Sequence, residues 1–550
     1  MRVNSAAASV SGKAARRPVA LAALCTLLFL TFLDNTVVSV ALASIRADMQ
    51  AGVSALQWVV GAYALTFAAL MLTFGMIGDE FGRKKVMLTG AAVYCAGAAT
   101  SALAASLPVL ITGRAVMGLG AAASEPGTLS MIRQLYADER RRNRALGVWA
   151  AVSGFSLALG PVLGGILVGA WSWRGIFWFD VTFGLAALAV GTVALPENSD
   201  PRAGRVDVPG TVLGAAAVAA LVFAVINGET AGFTAAGVVA LYCVSAIAAA
   251  AFVIWELHAP HPLLDLHFLR VARFATPNVI AACCYFATFA IFFFTALYLG
   301  EVAGFSGYRI AAVFLPMTVV MIAASLVAGR LTTVVGVRLS LVAGCLLFAA
   351  GLFVTNIALG PHPAYLPLAA ALGLAGAGLG ASVVPVTSSV LAAVPPERSG
   401  MAASATNTSR EFGAVAGVVI LGALVNAELR AGLISRMTRL HLPASLQTLI
   451  IGVVQTGGGG GSLALGGLSG GAGGSGGHGG GSGGPGGSGG HGGAGGLIGQ
   501  LFQAGYAAFE SALHLALYLS AGLLAAAALL AAITLRRRPQ PAARTSSSRS

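Results

Sequence analysis

Five ionisable residues stand inside otherwise apolar stretches of this chain: Asp34, Arg114, Glu125, Arg410 and Glu411, with Asp180 placed closer to the end of its own stretch. A charge held at the centre of a bilayer costs about 2.5–3.5 kcal/mol, so each of these groups must be paired, hydrated or neutralised. Burial favours the protonated carboxyl, whereas a neighbouring guanidinium favours the ionised one. A carboxyl poised between the two influences can load a proton from one side and release it to the other. Asp34 and Arg114 therefore read as a proton-coupling pair, or as a permanent ion pair that only fixes helix packing. Glu125 follows Arg114 by eleven residues, about three helical turns, which puts the two on a similar face. It reads as a site for a cation or proton, or as an interfacial carboxylate with no transport role. Glu411 adjoins Arg410, so the two point about 100° apart on a helix. An apolar cavity faced by both Glu125 and Glu411 would favour lipophilic cations.

The elements that must hold these residues are membrane helices. Of the 550 residues, 57% are hydrophobic and 9% charged, and the mean hydropathy is +0.85. Soluble domains carry about 25% charged residues, so too few ionic groups are present to solvate a globular surface of this size. Runs of about 20 apolar residues, the length that crosses the hydrocarbon core, recur near 19–42, 55–77, 86–104, 107–130, 144–168, 174–195, 208–227 and 233–255. A second series follows near 276–300, 309–330, 338–357, 364–391, 402–426 and 507–535. The first run is too long for a signal-peptide core and carries Asp34 in its middle, so it is expected to be retained. Fourteen spans place both termini on one side. With that side cytoplasmic, 24 of the 32 basic residues fall inside, six outside, and Arg114 and Arg410 within spans, as the positive-inside rule requires. The net charge of +13 is thereby explained by short loops, and a nucleic-acid partner is not expected.

The remaining stretches exclude other chemistries. Residues 456–496 form a glycine-rich run broken by Ser, Ala and His, expected to be a flexible outer spacer within a 427–506 loop. Its His478 and His491 are weak metal ligands in such a chain, so no metal is expected. All six cysteines lie in apolar segments and read as packing residues. No phosphate-binding loop appears, which disfavours an ATP-driven pump, and no helix-spaced histidine pair suggests a metalloprotease; an enzyme is not expected.

Two short loops echo one another. Gly75, Gly78, Asp79, Gly82 and Arg83 to Lys85 lie between the second and third spans, while Gly329, Arg330, Gly336 and Arg338 lie between the tenth and eleventh. In both, glycines seven apart precede cations. The echo predicts two six-helix halves, 19–195 and 276–535, with an inserted pair at 208–255, a cytoplasmic tail at 1–18 and a basic tail at 536–550: an all-α polytopic fold arranged six, two, six. Gly160, Pro161, Gly164 and Gly165 strip side-chain bulk and one backbone donor from the fifth span, which predicts close helix contact and a bend.

The loop at Gly75, Asp79, Gly82 and Arg83 resembles the signature cytoplasmic loop of the major facilitator superfamily. Leu33, Asp34, Thr36, Ala41 and Leu42 resemble the first-span motif of its fourteen-span drug:proton antiporter family. Arg114, Gly118 and Gly120 resemble the fourth-span arginine motif, and Gly160, Pro161, Gly164 and Gly165 the fifth-span motif of exporters. The resemblance covers essentially the whole chain. It departs at Met117, where the family commonly has glutamine, at Ser39 and Asp180, where asparagine is common, at Thr182, where proline is, and at Glu411, which replaces glutamine. The resemblance implies a facilitator fold in a bacterial inner membrane with both termini cytoplasmic, and proton-driven efflux of small lipophilic drugs by alternating access. It implies proton coupling at Asp34 and Arg114, a substrate cavity at Glu125, Arg410 and Glu411, a cytoplasmic latch at Gly75, Asp79, Gly82 and Arg83, and a sealing bend at Gly160 to Gly165. The partners would be a small-molecule substrate, protons and lipid, the chain a monomer, and the proton gradient would stand in place of a cofactor. A dedicated exporter of one endogenous metabolite and a non-transporting membrane scaffold or sensor are the alternatives.

Overall fold

Four of the breaks between helices carry a glycine in a backbone conformation that side chains resist, Gly82, Gly232, Gly304 and Gly336. The computed structural model describes residues 3–136, 138–197, 207–260, 266–360, 363–394, 399–439 and 494–535. Among them no strand occurs. The first series comprises α1 (Val3–Met49), α2 (Val53–Phe81), α3 (Arg83–Ala102), α4 (Leu107–Leu135), α5 (Glu139–Ala170) and α6 (Arg174–Ala194). Then come α7 (Val208–Ala231) and α8 (Ala236–His258). The second series comprises α9 (Ala272–Phe289), continued through a π turn (Ala290–Phe294) into α10 (Thr295–Glu301), then α11 (Gly307–Val335), α12 (Val337–Ala358), α13 (Tyr365–Ala392), α14 (Ser399–Arg439) and α15 (Ala494–Thr534). Gly82 separates α2 from α3 at φ 110°, and Gly336 separates α11 from α12 at φ 87°. Both positions sit in the left-handed half of backbone space, where glycine is favoured. The echo noticed in the two loops is thus a repeated hinge.

The packing order repeats as well. In the first series α4 packs on α2 and α3, α1 on α5 and α6, and α3 on α6. In the second, α13 packs on α11 and α12, α9 on α14 and α15, and α12 on α15. A side chain added at Gly118 of α4 would strike the Tyr63 carbonyl of α2, and one added at Gly376 of α13 would strike the Met317 carbonyl of α11. Such close approach between helix backbones is what small residues permit in a membrane bundle. The two series meet along α2 against α14 and α5 against α11. Helices α7 and α8 pack on each other, and α7 reaches α2 and α14.

Fourteen spans are expected from the sequence; among the described residues twelve helices are long and apolar enough to cross a membrane, or thirteen with α5 taken as one bent span. Helix α3 falls outside that number because it opens on Arg83, Lys84 and Lys85 and consists mainly of small residues. Those small residues serve contact with α4 rather than hydropathy. The first crossing segment runs Arg17–Met49, longer than the expected 19–42, and the helix carrying it begins at Val3, inside the expected tail. The outer loop at 456–496 and the basic tail at 536–550 lie outside the described residues, apart from residues 494–496 at the start of α15.

Candidate functional site

The charged groups singled out in the sequence all reach the middle of the bundle. Asp34, at mid-helix in α1, and Arg114 of α4 are both buried, and Arg114 Nη1 donates to both Asp34 carboxylate oxygens at 2.6 Å. Arg114 Nε donates to the Val59 carbonyl of α2 at 2.9 Å, and its guanidinium lies 4.6 Å from the centre of the Tyr63 ring. Tyr63 is itself fixed by donating to the Thr31 carbonyl at 3.0 Å. Met117, where the resemblance expects glutamine, offers its Sδ to Arg114 Nη1 at 3.8 Å. A thioether is a weak acceptor, so this departure leaves the arginine more dependent on Asp34. Arg114 Nη2 is buried without a hydrogen-bond partner.

Glu125 and Glu411 are likewise buried. Their partners come from the opposite helix series. Asn407 Nδ2 of α14 donates to Glu125 Oε1 at 2.5 Å, and Asn35 Nδ2 of α1 donates to Glu411 Oε1 at 3.1 Å. Each carboxyl keeps its second oxygen buried and unpartnered. Arg410 turns away from Glu411, as the 100° separation of neighbours requires: its Nη1 donates to Asn407 Oδ1 at 3.2 Å and its Nη2 to Thr387 Oγ1 at 2.9 Å. Asn407 therefore links Glu125 to Arg410 through one amide. Beside Arg410 a narrow cavity of about 10 Å³ is lined by Ala281, Cys284, Tyr285, Ser382, Val383 and Val386. That is about the space of a single water and far below that of a ligand pocket.

Sequence reasoning missed Asn35, Asn407, Thr387 and Tyr63. Asn407 could have been found, because it precedes Arg410 by three residues and so shares its helix face. Asn35 follows Asp34 directly; while Asp34 faces α4, its neighbour is turned toward α14.

The bend expected in α5 is present. Its segments Ala151–Leu157 and Leu159–Ala170 meet at 42°. Pro161 has no N–H for the Leu157 carbonyl one turn back, and Thr36 Oγ1 of α1 donates to that carbonyl instead, at 2.9 Å. A side chain on Gly160 would collide with the Thr36 hydroxyl and approach Val37 N at 2.9 Å; one on Gly164 would meet the Val37 carbonyl at 2.6 Å. Gly165 lies against Ala311 and the Gly307 carbonyl of α11. The four motif residues thus clamp α5 between α1 and α11. In the Gly82 hinge, the Gly82 N–H donates to the Gly78 carbonyl at 3.1 Å, and a side chain there would meet Glu197 Oε1 at 2.7 Å. Gly75 is loosely packed, its nearest neighbour being Pro126 at 3.6 Å from an added Cβ. The Asp79 side chain lies outside the described residues. Arg83 opens α3 beside this hinge. At the opposite end of the bundle Arg174 Nη1 donates to Asp48 at 2.7 Å and Arg46 lies 3.6 Å from Glu301.

This architecture has counterparts among known proteins. Residues 24–418 match the family model described as Major Facilitator Superfamily. The chain belongs to that superfamily. As a member it is a multi-pass membrane protein of a transporter family, which sets enzymes aside. It is 31% identical to the multidrug resistance protein Stp of Mycobacterium tuberculosis, over 75% of this chain and 76% of that one. It is 31% identical to the methylenomycin A resistance protein of Streptomyces coelicolor, over 74% of this chain and 86% of that protein. In structure it resembles a bacterial homologue of the human lysosomal transporter Spinster, solved inward-facing and unoccupied, with a TM-score of 0.61 at 18% identity, covering 96% of this chain and 99% of that one. That likeness concerns the fold. In this chain the four segments that resemble facilitator motifs sit at α1, the α2–α3 break, α4 and α5.

Proposed function

We propose that this facilitator exports small lipophilic molecules, lipophilic cations among them, in exchange for protons by alternating access. In this reading α1–α6 and α9–α15 are two six-helix halves, α7 and α8 an inserted pair, and both termini are cytoplasmic in a bacterial inner membrane. The recurring packing order and the paired glycine hinges support the division into halves. The observation that carries proton coupling is the sealed Asp34–Arg114 pair: a carboxylate in mid-bundle whose sole charged hydrogen-bond partner is one guanidinium nitrogen. Protonating Asp34 removes the attraction that holds Arg114, and the helices α1, α2 and α4 joined through it are free to shift. Glu125 and Glu411 supply the cation selectivity, because each bonds across the seam between halves through one oxygen only. Opening the seam breaks both bonds and presents two carboxyls to whatever enters. The relatives named for multidrug resistance favour a broad range of substrates. A dedicated exporter is the second reading, favoured by the relative named for a single antibiotic, methylenomycin A.

The test is proton movement in proteoliposomes holding an imposed pH gradient. Ethidium, tetraphenylphosphonium and uncharged lipophilic drugs are added in turn. Collapse of the gradient by some of them, absent in Asp34→Asn of unchanged thermal stability, is the expected result. Equal collapse in Asp34→Asn removes the coupling assignment. No collapse with any compound leaves the dedicated exporter.

A further inference from the structure

Of the carboxyl residues singled out within apolar stretches of the sequence, Asp180 is the one that the coupling scheme above does not use. It lies six residues into α6 and is fully buried, with neither carboxylate oxygen bonded to anything. Its surroundings are not inert. Asp34 and Arg114 are within electrostatic range of it, as is the Tyr94 hydroxyl of α3. Phe177, one turn earlier on the same face of α6, lies 6.0 Å from the Arg114 guanidinium, which sets the face of α6 that carries Asp180 toward that arginine. The titratable groups facing Asp180 are Asp34 on α1, Tyr94 and Cys95 on α3, and Arg114 on α4; the charged residues at the start of α5 sit at the far end of the α5–α6 hairpin.

The unmade bonds are complementary. Arg114 Nη2 is a buried donor without an acceptor, and Asp180 offers two buried oxygens that complete no hydrogen bond, with the Tyr94 hydroxyl beside it as the donor already at hand. Leaving such groups unsatisfied costs about 1–3 kcal/mol each, more if one is charged. An ionised Asp180 with no donor but the Tyr94 hydroxyl would be the most expensive of all, and a proton on Asp180 removes that cost.

We propose that Asp180 is a second proton-binding carboxyl that shares Arg114 with Asp34, so that the guanidinium alternates between the two. In one state Asp34 is ionised and holds Arg114 while Asp180 keeps its proton. In the other, a proton taken up on Asp34 frees Arg114, which turns Nη2 to Asp180; Asp180 releases its proton to entering water and accepts from Tyr94. One proton is bound, one is released, and the cluster of two carboxyls and one guanidinium stays neutral in both states. That neutrality removes the cost of burying a net charge during the switch. The assignment of this site to proton exchange rests on the antiport reading, whereas the sharing of Arg114 does not.

Difference infrared spectroscopy of the full-length protein in lipid, titrated with pH and compared among variants, tests it without any substrate. A protonated-carboxyl band present near neutral pH should vanish in Asp180→Asn. In Asp34→Asn, where Arg114 has lost its first partner, the same band should titrate about one pH unit lower. Tyr94→Phe, which removes only a donor, should shift it upward and serves should Asp180→Asn fail to fold. A band that survives Asp180→Asn, or one whose midpoint ignores Asp34→Asn, overturns the proposal. Linked titration without gradient collapse in proteoliposomes would instead sink antiport and leave the shared arginine standing; gradient collapse without linked titration would do the reverse.

Discussion

At the scale of single residues, the site is a set of charges each held by the fewest bonds that make it tolerable. Asn407 is the most exposed point of that economy, since one amide serves both Glu125 and Arg410. Asn407→Ala should therefore lower the midpoint of thermal unfolding, costing on the order of 1–3 kcal/mol for the acceptor and donor left buried. Combining it with Glu125→Gln should recover part of the loss, and a double-mutant cycle should return a coupling of about 0.5–3 kcal/mol; strict additivity would show that the bridge contributes nothing. Glu125→Gln and Glu411→Gln should each reduce ethidium export by at least roughly tenfold while sparing uncharged drugs, a loss of about 1.4 kcal/mol of cation binding. Equal loss for both drug classes would mean that the carboxyls support the helices and not the cargo. How much of this was legible beforehand follows from cost. A charge in lipid is rare enough that Asp34, Arg114, Glu125, Arg410 and Glu411 announce themselves in the sequence. Asn35 and Asn407 are uncharged and pass unnoticed, and their partners lie hundreds of residues away, where only the folded chain can join them. Asp180 was visible near the start of its span, where α6 keeps it; that the neighbouring helices bury it fully there was not.

At the scale of elements, glycines divide into those that bear a contact and those that do not, and the sequence motif does not distinguish them. Gly160→Ala should separate α1 from α5 and cost about 1–3 kcal/mol as an overpacked contact, because Thr36 and Val37 occupy the space a methyl group needs. Gly75→Ala, in the equally recognisable hinge motif, should stay within about 0.5 kcal/mol of the parent, since its nearest neighbour is at ordinary contact distance. Thermal unfolding of the two variants side by side checks the contrast, and equal effects would refute it. The proline bend was readable from Pro161; that Thr36 repairs the freed Leu157 carbonyl was not, because the repair comes from another helix. The glycine hinges were readable for the opposite reason. A positive φ is a local demand, so Gly82 and Gly336 appear in the chain as matching punctuation.

At the scale of the whole molecule, the proposed orientation makes opposite predictions for two loops. Ser306→Cys, exposed between α10 and α11, should react with a membrane-impermeant maleimide in intact cells. Lys85→Cys, exposed at the start of α3, should react only in everted vesicles. The reverse pattern would invert the topology. Deleting residues 458–495 should leave transport largely intact, and loss of transport would give that glycine-rich stretch a working role. The run at 86–104 was read as a span and is the helix α3, but α3 falls short of the apolarity of the other crossing helices, because its small residues pack on α4.

The placement of α7 and α8 has one further consequence. Val222 and Ile226 of α7 lie between Ala64 and Leu65 of α2 and Val415 and Val419 of α14, and Phe223 meets Trp58 with ring centres 4.6 Å apart. Helix α8 stands outside that layer, only 17% of its apolar window being covered by protein. One of the two seams is thus roofed by a double wall, while the other, α5 against α11, has no such cover among the described helices. A molecule dissolved in the bilayer does not meet a symmetric barrel: the α5–α11 seam is the barer of the two, closed by backbone contact between Gly165 and Gly307.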